Sequence, residues 1–381
     1  MRRTIYRFFG ILLFWGVVAT GCAPQTFEII TSDPIPPEAI AVDVFLIGDA
    51  GLPAPTGEPV LIALEEAIAW DTLRPIVVFL GDNVYPRGLP EPGALDRAEG
   101  ERILKAQIDV LLSTGVEGIF VPGNHDWDAG SPNGWQAVLR EQEFVEDYGG
   151  DNVTYLPGGG CPGPKVVDVA ESVRIIALDT QWWLHDGPKP RGPVSECQFD
   201  TEEEVVDGIK TALEAAGNRV TIVVAHHPMV SGGEHGGYFD WPAYLFPPYL
   251  LARRLGWFAP QDVGSVQYMN MIRHFQDAFR ENPPTLFAGG HEHNLQILAG
   301  NVVKYHLVSG AGIYGHLTPV RVIPATYYAR EESGFMRLSV RKDGWARLAV
   351  MVVDGTGEAR EDYSIWLEPK SSSNNPSTEQ K

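Results

Sequence analysis

Five short stretches of this sequence end in side chains able to hold cations or move protons: Gly48-Asp49-Ala50-Gly51, Gly81-Asp82-Asn83-Val84-Tyr85, Gly123-Asn124-His125-Asp126, Val223-Val224-Ala225-His226 and Gly290-His291-Glu292-His293. Carboxylate, imidazole, amide and phenol groups are the donors from which metal sites are assembled. Each stretch alone has a plainer reading. Gly-Asp after an apolar run is ordinarily a turn, and a lone histidine there is ordinarily a hydrogen-bonded structural group. Recurrence makes the set specific, because every one of these stretches lies at the end of a short apolar run, most of them rich in Val and Ile.

Those runs must position the polar residues. Residues 42–47, 76–80, 118–121, 221–225 and 284–288 read as strands buried on both faces. Helical patterns lie between them, at 59–70, 97–112, 135–147, 201–216 and 266–280. Strands alternating with helices predict an α/β sandwich, whose active site lies beyond the carboxyl ends of the strands. From residue 303 the rhythm changes. Residues 335–340 and 345–353 are strand-like and joined through Asp343-Gly344, a hairpin signal, and are expected to supply antiparallel strands to a second sheet. There is no internal repeat, and residues 41–368 read as one domain.

Bulk properties narrow the function. The formal net charge is −20, which argues against nucleic acid as partner, since phosphate contacts need clustered Lys and Arg. It leaves room for a small phosphorylated substrate, because bound cations reverse the local charge. Arg2, Arg3 and Arg7 precede an apolar stretch, residues 8–19, that is short for a membrane span and has the flanks of a secretory signal. Thr20-Gly21-Cys22 resembles the bacterial lipoprotein cleavage site, although Ala19 stands where that pattern prefers Leu or Val. The expectation is an exported lipoprotein with residues 1–21 removed, a lipid anchor on Cys22 and a tether over 22–40; the alternatives are an unlipidated exported form and an uncleaved anchor. Cys161 and Cys197 could pair in an oxidising compartment or remain free thiols. The tail, 369–381, is polar and expected to be disordered.

Over residues 42–353 the sequence resembles the calcineurin-like metallophosphoesterases, and within them the small, tartrate-resistant type of purple acid phosphatase. His227-Pro228, Glu234-His235-Gly236, Asn294-Leu295-Gln296, Ser309-Gly310-Ala311-Gly312 and residues 331–335 also match. The resemblance implies a four-layer αββα sandwich with two mixed β-sheets and a pair of metal ions bridged by Asp82. One ion would take Asp49, Asp82, Tyr85 and His293; the other Asp82, Asn124, His226 and His291. Hard oxygen donors including a phenolate suit Fe(III), and the more neutral second set suits divalent Fe, Zn or Mn. In most of the superfamily the first motif is Asp-x-His, with that His binding metal; here Gly51 takes its place, and Tyr85 is placed to fill the vacancy.

The implied chemistry is hydrolysis of a phosphoric ester by metal-activated hydroxide, most simply in a phosphomonoesterase of acid-phosphatase type. His125 would stabilise developing charge or protonate the leaving group, with Asp126 orienting His125 or merely capping the turn. His235 matches a second substrate-facing histidine. His185, His227, His274, His306 and His316 match no role and read as structural or surface groups. Trp127, Trp182 and Trp183 read as cleft or core. The segment 236–289 is longer than in the small enzymes and dense in aromatics and Pro; it could wall the cleft, pack as a surface hairpin or rest on a bilayer. Competing functions are a phosphodiesterase or a phospholipid or sugar phosphatase on the same fold, and a binding lipoprotein without catalysis.

Overall fold

β-branched runs flanked by Gly and polar residues fold here as the buried strands expected of them. The structure, a computed structural model, describes residues 32–71, 73–238, 248 and 261–368. The leader, Cys22, the start of the tether, nearly all of the aromatic run 239–260 and the tail lie outside the described residues. Of the stretch expected as tether, residues 32–40 lie against the body: the main-chain N–H of Ser32 donates to Ser364 Oγ at 2.9 Å, and Ile35 is buried. Among the described residues no helix is long and apolar enough to cross a membrane.

Two seven-stranded sheets form the centre. In the first, β1 (Ile40–Ile47), β2 (Ile76–Phe79), β3 (Glu117–Phe120) and β4 (Val153–Tyr155) run parallel. In the second, β6 (Val173–Ala177), β7 (Val220–Val224), β8 (Leu286–Gly289) and β10 (Tyr305–Ser309) run parallel, flanked by the antiparallel β5 (Lys165–Ala170), β9 (Leu295–Ala299) and β11 (Thr326–Arg330). The C-terminal strands depart from expectation. β12 (Gly334–Arg341) pairs antiparallel with β1, and β13 (Ala346–Val353) and β14 (Ala359–Leu367) continue outward from it, so this meander extends the first sheet rather than the second. The hairpin is local and readable; the edge it joins is decided by which strand lies unpaired, and here that is β1.

Strand alternation sets the layers. Val44 and Leu46 face inward with Val78, Ile175, Ile222 and Leu307 in one core between the sheets. Phe45 and Ile47 face the other way, joining the core under the helices. α1 (Pro59–Ala69), α2 (Arg97–Thr114) and α3 (Gly134–Gly149) cover the first sheet. α4 (Thr180–Leu184), α5 (Glu202–Glu214) and α6 (Val266–Phe279) belong with the second sheet, α6 packing on both α4 and α5. The result is the four-layer αββα sandwich. Helix ends follow local chemistry: α2 stops at Gly115, whose φ of 67° lets its N–H reach Leu111 O at 2.8 Å. Ser265 caps α6 by accepting from Tyr268 N at 3.2 Å.

Cys161 and Cys197 are joined, with Cα atoms 5.6 Å apart, closing a loop of sequence separation 36 that contains β5, β6 and α4. A cross-link of that span removes about 3–4 kcal/mol of chain entropy from the unfolded state. Replacing both cysteines by Ser should therefore lower unfolding stability by about that amount, read from the urea midpoint. An unchanged midpoint would mean that the cross-link does not constrain the unfolded chain.

Candidate metal centre

The five polar motifs converge at the seam where the carboxyl ends of β1, β2, β3, β7 and β8 meet. Main-chain bonds stitch the seam: Gly48 N to Ser309 O at 2.7 Å, Gly312 N to Gly48 O at 3.1 Å, and Gly290 N to His226 O at 2.8 Å. Three of the residues placed there have left-handed backbone, Asp49 (φ 57°), Asp82 (φ 55°) and His291 (φ 72°). For non-glycine residues that conformation costs about 1–3 kcal/mol each and persists only where surroundings over-determine it. They do so here: Asp49 N donates to Gly81 O at 2.9 Å, Asp49 Oδ2 accepts from His291 N at 2.8 Å, and Asp82 Oδ1 accepts from His125 N at 2.9 Å.

All seven residues read as metal ligands come together in two overlapping groups. In the first, Tyr85 Oη lies 3.0 Å from Asp49 Oδ1, 3.1 Å from Asp82 Oδ2 and 3.0 Å from His293 Nε2. In the second, His226 Nε2 lies 3.0 Å from Asn124 Oδ1, 3.2 Å from His291 Nδ1 and 3.4 Å from Asp82 Oδ2. Asp82 Oδ2 belongs to both groups. Its carboxylate is buried, yet His226 and His125 beside it outweigh that burial and hold it well below the usual carboxylate range. Burial alone would lower His226, but the Asp82 charge raises it to about 9. Tyr85 is pushed well above its ordinary value by burial, then by Asp49 and Asp82. Two buried carboxylates and a phenol sharing one point, with imidazole nitrogens turned toward them, fit a pair of cations: positive charge would relieve the acidic repulsion and favour phenolate.

Local packing accounts for the glycine at position 51. A Cβ on Gly51 would lie 2.5 Å from Asp82 O and 2.6 Å from Val84 N, so the loop after β2 rests directly on the Gly51 backbone. Tyr85 N donates to Gly51 O at 2.9 Å, which fixes the loop that aims the phenol at the acids. Gly123 serves the same closeness, its missing Cβ leaving room for the Asp82 carboxylate 2.3 Å from where that atom would be.

Hydrogen bonds select which imidazole nitrogens face the centre. His226 Nδ1–H donates to Leu80 O at 2.9 Å, leaving Nε2 as the inward lone pair. His291 is reversed: Nε2–H donates to Gln261 O at 3.1 Å and Nδ1 faces inward. His227 stands close enough to His226 and His291 to form a trio of possible donors. Its Nε2–H, however, donates to Gln261 Oε1 at 2.5 Å, while Nδ1 accepts from the Thr180 hydroxyl at 2.8 Å, so it has no lone pair to offer.

Histidines flank the centre on the open side. His125 has its ring 4.5 Å from that of Tyr85, with Nδ1–H donating to Pro86 O at 2.6 Å and Nε2 3.9 Å from Asp82 Oδ2. His235 packs its ring 4.1 Å from that of His291 and pairs Nδ1 with Asp262 Oδ1 at 2.9 Å. The role of orienting His125 does not fall to Asp126. That carboxylate is buried behind the loops, accepting from Asn83 N (2.8 Å), Val84 N (3.1 Å), Gly123 N (2.7 Å) and Asn83 Nδ2 (3.1 Å). It caps the turn and staples two ligand loops together, the alternative weighed for it.

His316, read from sequence as a structural or surface group, stands beside the centre. Its ring lies 4.2 Å from that of His293 and 5.6 Å from that of Tyr85, so it edges the centre. Glu292, between two ligands, was assigned nothing from sequence; its Oε1 accepts from Ser231 Oγ at 2.8 Å and Gly236 N at 3.1 Å, holding the loop that bears His235. His274 is half-buried on α6 with its ring 5.3 Å from that of Trp183, and His185 and His306 are buried away from the ligands. Trp127, Trp182 and Trp183 are core, buried in the layer that carries Asp179 and α4.

Comparison with known proteins agrees with this geometry. The profile of the calcineurin-like phosphoesterase family matches residues 44–295. Comparison with curated proteins returns no match. Among solved structures the chain is similar to a purple acid phosphatase from yellow lupin (Lupinus luteus) seeds, at 16% identity and TM-score 0.52, over 87% of this chain and 55% of that one. It is similar to a dimetal phosphatase from Danio rerio at 12% identity and TM-score 0.50, over 86% of this chain and 99% of that one. It is also similar to GAP50, the anchor in the inner membrane complex of Plasmodium, at 16% identity and TM-score 0.51, over 87% of this chain and 90% of that one. At such identities the likeness is one of fold. The two mixed sheets, the convergence of donors at their seam and a profile match over most of the domain place the chain in the calcineurin-like phosphoesterase family.

Proposed function

We propose that the protein hydrolyses phosphoric monoesters at a dinuclear metal centre, as an acid phosphatase of the purple type. The observation that carries this is Asp82 Oδ2, which lies within 3.4 Å of both Tyr85 Oη and His226 Nε2 and so joins an oxygen-rich donor set to a nitrogen-rich one. When bound, a cation pair supplies positive charge against phosphoryl oxygens and acidifies water. The chain's own residues do the rest. Asp49, Asp82, Tyr85 and His293 form the set suited to Fe(III), and Asp82, Asn124, His226 and His291 the set suited to divalent Fe, Zn or Mn. His125, half-exposed and fixed through Nδ1, keeps Nε2 for the phosphoryl group or for a proton to the leaving oxygen. His235 approaches from the side of the nitrogen-rich set, its ring against that of His291. The natural home of the activity, in this reading, is the exported side of a bacterial membrane with Cys22 lipidated; the Cys161–Cys197 cross-link supports an oxidising compartment.

A second reading has the fold as a docking lipoprotein without catalysis, favoured by the likeness to an anchor protein of Plasmodium. The complete donor set speaks for the enzyme. Steady-state rates of the metal-loaded protein on monoesters and diesters, from acidic to alkaline pH, separate the two. Absence of hydrolysis throughout would leave the docking reading standing, and faster diester turnover would move the assignment to phosphodiesterase.

Three variants test the roles. Asp82→Asn should release metal from both sites, measured by elemental analysis; loss of a single equivalent would refute the shared carboxylate. Iron-phenolate ligation gives a violet absorption band that Tyr85→Phe should abolish, whereas a colourless zinc or manganese protein would overturn the iron assignment and leave hydrolysis intact. His125→Ala should keep its metals and lose about 10²–10⁴-fold in kcat. Equal loss of metal in that variant would show His125 to be a ligand instead.

A further inference from the structure

The tripeptide 261–263, just ahead of α6, belongs to none of the motifs, yet it touches three histidines in and around the centre. Gln261 O accepts from His291 Nε2–H at 3.1 Å, Gln261 Oε1 accepts from His227 Nε2–H at 2.5 Å, and Gln261 Nε2 donates to Gln181 Oε1 at 3.0 Å. Asp262, 5% exposed, accepts from His235 Nδ1–H at 2.9 Å. Val263 N donates to His235 O at 2.8 Å, so His235 is gripped by both main chain and ring. The grip is itself anchored, because Asp262 O accepts from Ser265 N at 2.8 Å and Ser265 caps α6.

Two acids divide the work at His235. Glu292 fixes the loop backbone through Ser231 Oγ and Gly236 N, whereas Asp262 bonds the ring. A neutral imidazole can carry its proton on either nitrogen and can rotate; a carboxylate on Nδ1–H settles both questions and leaves Nε2 with the open direction. The side chain of His235 is 30% exposed while that of Asp262 is 7% exposed, so the paired edge is inside and the other edge faces the cleft.

We infer that Asp262 is a positioning residue for the proposed reaction, acting through His235 by locking its ring with Nε2 toward the cleft. This inference rests on the hydrolytic reading above, and its test has a part that needs no turnover. In the metal-free protein, imidazole ¹⁵N shifts, assigned through His235→Gln, should show His235 protonated at Nδ1. Asp262→Leu should abolish that state and Asp262→Asn, which retains an acceptor, should preserve part of it. In the metal-loaded enzyme Asp262→Leu should lower kcat by about 10- to 100-fold at unchanged metal content, a loss typical of removing the partner that orients a functional histidine. Asp262→Asn should recover part of that loss. In a His235→Ala background the same Asp262→Leu change should have no further effect. A His235 ring that is unprotonated at Nδ1, or indifferent to Asp262→Leu, overturns the inference whatever the activity. So does a loss that persists in the His235→Ala background, since Asp262 would then act on the structure at large. Wild-type protein that shows the Asp262-dependent ring state but hydrolyses no phosphoester upholds the pairing and sinks the phosphatase reading instead.

Discussion

Burying Asp49 and Asp82 together where two sheets meet is the constraint from which the rest of this structure follows. Uncompensated charge taken out of water costs several kcal/mol per ion even after relaxation. The fold meets that cost with imidazoles from the opposite sheet and with main-chain N–H groups from His125 and His291. The compensation comes from far along the chain, and Asp49 and His291 are held to one another across 242 residues. The sheets can therefore close at this end only if five strand ends arrive in register, which is why left-handed backbone is tolerated at Asp49, Asp82 and His291. Local strain and global closure are the same event seen at two scales.

Much of the site was legible because these donors follow short apolar runs, most of them ending in Gly, a pattern that marks both a strand end and a turn. Asp49, Asp82, Asn124, His226 and His291 could be placed at strand carboxyl ends from that pattern alone. Other features had no such signal. The C-terminal hairpin was readable, but its docking on β1 depends on which edge is vacant, a property of the assembled sheet. Asp126 follows His125 in sequence, yet the turn sends the two side chains to opposite sides of the loop. His316 sits four residues beyond Gly312 in a stretch that matched the family, yet it reaches Tyr85 and His293 only through the path of the connecting loop. Asp262 is a single acid in an irregular segment, and nothing in its neighbours announces it.

The histidines show how one side-chain type is divided among tasks by its hydrogen bonds. His226 and His291 give opposite nitrogens to the centre because their outer nitrogens meet carbonyls on different sides, Leu80 and Gln261. His227 is adjacent in sequence to His226 and equally buried, but both its nitrogens are engaged, and burial with neighbouring positive charge keeps it neutral, well below the ordinary histidine range. It is a spacer of defined shape between Thr180 and Gln261. Proximity to a centre and membership in it are thus separate properties, and the bonds on the far edge of the ring distinguish them.

The contact of Gly51 with the loop after β2 bears on which side chains this centre can recruit. No side chain fits at position 51 while the loop keeps this path, because the backbone of Asp82 to Val84 already occupies the space of a Cβ. The same loop carries the Tyr85 phenol to Asp49 and His293. A side chain at position 51 and the present path of that loop exclude one another, so a single missing methyl group decides where the phenol can stand.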